Sequence, residues 1–318
     1  MEKNDSKLTA NQVFCDTLIQ EIKNYPELLT VTSDSRGSAG ITPFINMFPK
    51  HSIEVGIAEQ NAVTVAAGLA HAGKKPFVFS PAAFLAMRSI EQVKVDVAYS
   101  KTNVKLIGIS GGNSYSDLGT THHSLNDVAI TRAIPNLEVY QPCDKYQTKA
   151  LIKYLLNSST PAYVRIGKRK LDNVYNNDFE FIPGKANILH QGKDHKLCLI
   201  SIGETLYNTV QAAKLLEQEG IFATVVDLSS IKPLDTGLLH ELAQKYEIII
   251  SVEEHSVING IGAAIAQIVA QHSHAKLFTL GFPDEPAIAG KQDEVFQYYG
   301  LDATSIANFA HQILLQTN

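Results

Sequence analysis

The chain has 318 residues, 45% of them hydrophobic and 19% charged, with a formal net charge of -5. This is ordinary globular material, long enough for two domains, and without a long basic run it argues against nucleic acid or an anionic membrane surface as the main partner. No apolar run approaches the roughly 18 residues of a membrane span, and residues 1–7 lead into a mixed pattern rather than a signal-type apolar region, so a cytoplasmic chain is expected. Cys15, Cys143 and Cys198 stand far apart with no Cys-x-x-Cys pair and read as buried reduced thiols rather than a disulfide framework or zinc site.

Helical and extended patterns alternate throughout, which predicts an α/β fold: two consecutive α/β domains with mostly parallel sheets. Residues 28–33 read as a buried strand ending at Asp34. Next, Gly56-Ile57-Ala58-Glu59-Gln60-Asn61 runs directly into the apolar stretch 62–70, placing one carboxylate at the head of an apolar helix. Strands follow at 75–79 and 105–110, and 162–166 closes the first unit. The text then turns rich in Lys, Asn and Asp, with Lys168-Arg169-Lys170, Asn176-Asn177-Asp178 and Pro183-Gly184. We therefore expect a first domain over 1–170, a linker over 171–192 and a second domain over 193–318. Strands are expected in the second unit at 196–202, 223–228, 248–252 and 276–280, and helical spacing over 303–316 predicts a terminal packing helix.

Four places carry chemistry. Glu59 is one, because glutamate is rarely buried unless paired or at work; the alternative is an exposed first-turn residue favourable to the helix dipole. Phe84, in the run 80–94, offers a flat aromatic face for stacking, or is simply a core residue. The Gly-rich polar loop 110–123 can line a site and presents His122, which by itself also suits a capping or surface role. Finally, Ser33-Asp34-Ser35-Arg36-Gly37-Ser38-Ala39-Gly40 offers hydroxyls and a guanidinium at a strand end, a combination suited to an anion. Solvated surface charge is the alternative for Arg36 and Lys168, and a turn or capping role is the alternative for Asp34.

The Glu59-Gln60-Asn61 segment closely resembles the pyrimidine-binding segment of transketolases. The resemblance implies that Glu59 hydrogen-bonds the aminopyrimidine of thiamine diphosphate and stabilises its imino tautomer. It further implies that Phe84 stacks on the pyrimidine and that His122, in Gly119-Thr120-Thr121-His122, hydrogen-bonds sugar oxygens. Ser38 stands where such enzymes place a phosphate-contacting serine, Lys168 where they place a phosphate-binding arginine, and Asp34 where an aspartate lies near the cofactor and the subunit contact. Three positions depart from the family pattern: Pro81 for an upstream Phe, Leu118 for an Asp, and Ser110 for a His. Asp117, one residue before Leu118, is placed to substitute in part.

The second unit also resembles the transketolase C-terminal unit, at Val252-Glu253-Glu254-His255, Asn259-Gly260-Ile261-Gly262 and Gly290-Lys291. Glu253, Glu254 and His255 are read as an inter-subunit or polar surface group, and Gly260 to Gly262 as close helix packing. The Gly-Asp-Gly signature that brings the divalent metal and diphosphate to a thiamine enzyme does not occur. The resemblance thus implies the C-terminal subunit of a split transketolase, with thiamine diphosphate and Mg²⁺ or another divalent cation as cofactors. The metal ligands are expected from a separate N-terminal subunit, in a dimer of heterodimers acting on sugar substrates. Alternatives are a beta subunit of a 2-oxoacid dehydrogenase, a deoxyxylulose-phosphate-synthase-like enzyme, and a non-catalytic partner subunit.

Overall fold

The computed structural model describes residues 7–170, 172–272 and 275–317; residues 1–6, on which the expectation of no signal region falls, and Leu171, the head of the expected linker, lie outside them. The strands are β1 (Leu28–Thr32), β2 (Ser52–Glu54), β3 (Lys75–Pro81), β4 (Lys105–Ile109), β5 (Glu138–Tyr140), β6 (Ala162–Arg165), β7 (Asn187–His190), β8 (Leu197–Ser201), β9 (Thr224–Asp227), β10 (Ser230–Lys232), β11 (Ile248–Ser256) and β12 (Lys276–Phe282). They form two sheets, ordered β10-β5-β6-β4-β3-β1-β2 and β12-β11-β8-β9-β7. Every pairing is parallel except β10 on β5 and β7 on β9.

β1, β4, β6, β8 and β9 are buried at every position, as strands of a parallel sheet covered by helices on both faces must be. The helix Glu59–His71 turns Ala62, Val63, Ala66 and Ala67 inward. The helix Lys145–Asn157 begins where the Asp144 side chain accepts the backbone N–H of Gln147, satisfying one of its free donors. The expected terminal helix is present as Ala303–Thr317.

Two short strands join what the sequence separates. β7 lies within 171–192 and edges the second sheet. β10 comes from the second half of the chain yet pairs with β5 of the first sheet. One apolar core contains Val31, Val78 and Leu106 of the first sheet together with Cys198, Ile200 and Ile249 of the second. The halves are therefore packed as one body, and loops of one can be held by the other.

Parallel pairing brings the C-terminal ends of β2, β1, β3, β4 and β6 to one edge in that spatial order. Open α/β sheets bind ligands at such an edge.

Candidate functional site

Each of these five strand ends leads to a residue singled out in the sequence. After β2 the chain enters the helix headed by Glu59, whose side chain is only 2% exposed. The exposed first-turn alternative is thereby removed. Glu59 Oε2 accepts from Arg88 Nη1 at 2.6 Å, and Oε1 lies 3.5 Å from the Ser80 hydroxyl, itself hydrogen-bonded to Ser33 at 2.8 Å. Arg88 follows the short helix Ala82–Met87 after β3, with its side chain 45% exposed, and its guanidinium carbon lies 4.7 Å from the Phe84 ring centre. Phe84 is half-buried rather than a core residue.

The contacts continue along the edge. The Phe84 and His122 rings meet edge-on at 5.2 Å, His122 meets Tyr115 at 5.8 Å, and Lys168 Nζ lies 5.2 Å from the Tyr115 ring centre. The result is a single row: Glu59, Arg88, Phe84, His122, Tyr115, Lys168. Sequence reasoning missed Arg88 and Tyr115 as members. The signal for Arg88 was its position four residues after Phe84, on the same side of a short helix.

The loop between β4 and residue 124 starts with Ser110 in the left-handed region, φ 52°, where a residue with a Cβ is strained. Its two histidines diverge. His122 joins the row with Nδ1 2.9 Å from the Thr121 hydroxyl, whereas His123 turns inward to the Ser116 carbonyl at 3.2 Å, and burial pushes its pKa down. Asp117 and Leu118 are exposed in the turn Ser116–Leu118, which Leu118 closes by donating its N–H to the Tyr115 carbonyl at 2.9 Å; no side-chain hydrogen bond or ion pair joins either to the row among the described residues.

Asp34, Arg36 and Ser38 sit in the turn after β1, all exposed. Asp34, also left-handed at φ 57°, donates its N–H to Glu54 Oε1 at 2.7 Å. The Ser38 hydroxyl donates to the Ser35 carbonyl at 3.0 Å. No hydrogen bond or ion pair joins these three to the row among the described residues. β1 and β6 are three strand spacings apart, about 14 Å at the edge. The turn carrying Arg36 and Ser38 therefore lies across that edge from the segment carrying Lys168.

Beneath the row the expectation for residues 253–255 is corrected. Glu253, Glu254 and His255 are neither a surface group nor free for a subunit contact; all three are buried, because β11 runs on to Ser256 as an inner strand. Glu253 accepts the N–H groups of Ile261 (2.7 Å) and Gly262 (2.9 Å), capping the helix Ile261–His272. At Gly262 that helix approaches the sheet closely, since a Cβ there would run into Thr279 and Ser251. His255 Nδ1 donates to the Ser256 carbonyl and Nε2 accepts from Ala129 N–H at 3.3 Å, a neutral tautomer favoured by burial that lowers its pKa to about 4. Glu254 faces Arg165 of β6, which lies between it (3.6 Å) and Asp127 (3.7 Å).

Burial raises the pKa of Glu253 to about 7 and also raises Glu204 and Glu254, the latter further through the neighbouring Glu204. Carboxyls raised above their unfolded values stabilise most when protonated, and that contribution is lost as pH rises through the folded values. Thermal melts of the isolated chain are therefore expected to show a midpoint falling between about pH 7 and about pH 8, up to the value to which burial and the neighbouring Glu204 raise Glu254 and above the ordinary histidine value of 6.5, so that the opposing contribution of His255 is largely complete. A midpoint that is flat or rising there would contradict the assignment.

Residues 6–173 match the family model for the transketolase pyrimidine binding domain, and residues 184–306 that for the transketolase C-terminal domain. The chain is 44% identical over 307 residues to a subunit of the apulose-4-phosphate transketolase of Phocaeicola vulgatus, covering 96% of this chain and 97% of that one. It is 32% identical to a 6-deoxy-6-sulfo-D-fructose transketolase subunit of a Clostridium species, over 96% of this chain and 94% of the other. Among solved structures it resembles a split-gene transketolase described as an inactive beta4 tetramer, with a TM-score of 0.87, 32% identity, and coverage of 97% and 99% of the two chains. With both transketolase models matched along it and a 44% identical relative spanning 96% of its length, the chain belongs to the transketolase family.

Proposed function

We propose that this chain is the C-terminal subunit of a split transketolase, transferring a two-carbon ketol group from a ketose to an aldose acceptor. The observation that carries this reading is Glu59, a nearly fully buried carboxyl at the head of a helix, beside the half-buried ring of Phe84. A carboxyl to meet a ring nitrogen and an aromatic face to meet a flat heterocycle suit the aminopyrimidine of thiamine diphosphate. Bound there, thiamine diphosphate supplies a carbon nucleophile and an electron sink for breaking a carbon–carbon bond beside a carbonyl.

In this reading Glu59 holds a proton at the ring nitrogen and Phe84 fixes the plane of the ring. Asp34 approaches the cofactor from the end of β1. His122 orients sugar oxygens, with Asp117 as a second polar group on the same loop. Lys168, with Ser38 and Arg36 opposite, holds a terminal anion. The relatives named for a phosphorylated and a sulfonated ketose support such an anion.

The diphosphate and metal half has no counterpart in this chain. The sequence lacks Gly-Asp-Gly, and no cluster of three His, Cys, Asp or Glu suited to a metal occurs among the described residues. We assign Mg²⁺ or another divalent cation, with its ligands, to a separate N-terminal subunit in a dimer of heterodimers. A split-gene relative described as an inactive beta4 tetramer supports the need for that subunit. We keep 1–170 as the pyrimidine-binding domain, 171–192 as linker and 193–318 as C-terminal domain, in a cytoplasmic enzyme. No helix among the described residues is long and apolar enough to cross a membrane.

The test is two-carbon transfer from a ketose phosphate to an aldose phosphate with thiamine diphosphate and Mg²⁺, using this chain with and without the separately expressed diphosphate-domain subunit. Activity is expected only in the mixture. Undiminished activity of the other subunit alone would make this chain a non-catalytic companion, and consumption of pyruvate with glyceraldehyde phosphate in place of ketol transfer would make the pair a synthase.

A further inference from the structure

The loop that presents His122 is fastened less by its own domain than by the other one. Its feet are joined by the two backbone bonds between Gly112 and Ser124. Beyond that bridge, Asn113 N–H donates to Glu254 Oε1 at 2.8 Å, Ser256 N–H to the Leu125 carbonyl at 2.8 Å, and Gly290 N–H to the Ser116 carbonyl at 3.2 Å. The segment presenting Lys168 is held likewise: Arg169 N–H donates to Glu204 Oε1 at 3.3 Å, and its guanidinium pairs with Asp293 at 2.6 Å.

Gln292 stands between the two fastenings. Its side-chain amide donates both to Glu204 Oε2 at 2.9 Å and to Glu254 Oε1 at 3.1 Å. Both contacts are close-fitted: a Cβ at Gly112 would run into Glu254 and Arg165, and one at Gly167 into Glu204. One carboxyl, amide, carboxyl bridge thus ties the segment next to His122 to the segment next to Lys168, across residues from three separate elements of the second half.

We propose that Gln292, bridging Glu254 and Glu204, is a positioning residue that fixes the separation of His122 from Lys168 and so sets the length of anionic sugar that the site accepts. The inference rests on the functional reading above. A sugar gripped at both ends by groups on separate loops gains from each only if their spacing is held before it binds. A hydrogen-bonded bridge between two buried carboxyl groups is a stiff way to hold it.

In the reconstituted complex, Gln292→Ala is expected to raise KM for a phosphorylated ketose about tenfold, the upper end of what a net buried hydrogen bond contributes. The KM for thiamine diphosphate should not move, since Glu59 and Phe84 lie off the bridge. The rise should shrink for a ketose of the same skeleton lacking the terminal phosphate, and should not add to that of Lys168→Ala. Glu254→Gln, whose carbonyl still accepts from Asn113 and Gln292, should retain the wild-type KM, whereas Glu254→Leu should behave like Gln292→Ala. An unchanged KM in Gln292→Ala, an equal rise for both ketoses, or full additivity with Lys168→Ala would overturn the bridge while leaving the transketolase reading standing. A folded wild-type mixture with no ketol transfer would overturn both.

Discussion

Replacing Glu59 with alanine is expected to lower ketol transfer by the reconstituted complex about 10³-fold, within the range that a positioned proton-transfer group supplies, while the chain stays folded. The fold should survive because of what Glu59 leaves behind. Its main partner, Arg88, is 45% exposed, so the freed guanidinium returns to water instead of becoming a buried unpaired charge. Ser80 keeps its bond from Ser33, and alanine suits a helix's first turn. Glu59→Gln sharpens the test: it keeps shape and hydrogen-bonding capacity but cannot hold an exchangeable acidic proton, so turnover should fall while the subunits still associate. The checks are the initial rate at saturating cofactor and a thermal melt of each variant. Turnover within about tenfold of wild type would take Glu59 out of the proton path.

The second large effect is expected at His122. His122→Ala should cut kcat/KM for the sugar about 10²-fold, the order expected when a preorganised hydrogen-bond donor near the reacting atoms is removed, with the cofactor's KM unaltered. His122 rests edge-on between Phe84 and Tyr115, with Nδ1 occupied by Thr121, which leaves Nε2 to face a ligand. His123→Ala provides the contrast. That ring is buried against Ser116, so its loss should reach stability before it reaches the kinetics. Steady-state rates over a range of ketose concentrations decide between them, and a sugar kcat/KM unchanged in His122→Ala would refute its role.

The strands read from the sequence were those with long apolar or β-branched runs, such as Leu28–Thr32 and residues 248–252, the latter running on to Ser256 in the fold. β2, β5, β7 and β10 went unread because they are short and carry polar residues instead of an apolar run, unlike the equally short but fully buried β6 and β9. Three of them lie at sheet edges, and the half-buried text of β7, Asn-Ile-Leu-His, looks like linker until a partner strand is there to pair with it.

The candidate site divides along the same line. The order of amino acids was enough for the family, the two α/β units and the residue types that follow each strand: Glu59, Phe84, His122 and Lys168 stand in motifs whose local spacing places them at strand ends or helix starts. It took the folded chain to show that Glu59 is buried, that Arg88 and Tyr115 complete its row, and that His123 turns away from it into the core. Folding also reversed the reading of Glu253, Glu254 and His255. Neighbours along a strand point to opposite faces, and what each face meets is contributed by residues near 113, 129, 261 and 292. Local spacing fixes which chemistry is available, but burial and partnership depend on segments that reach the site from elsewhere in the chain.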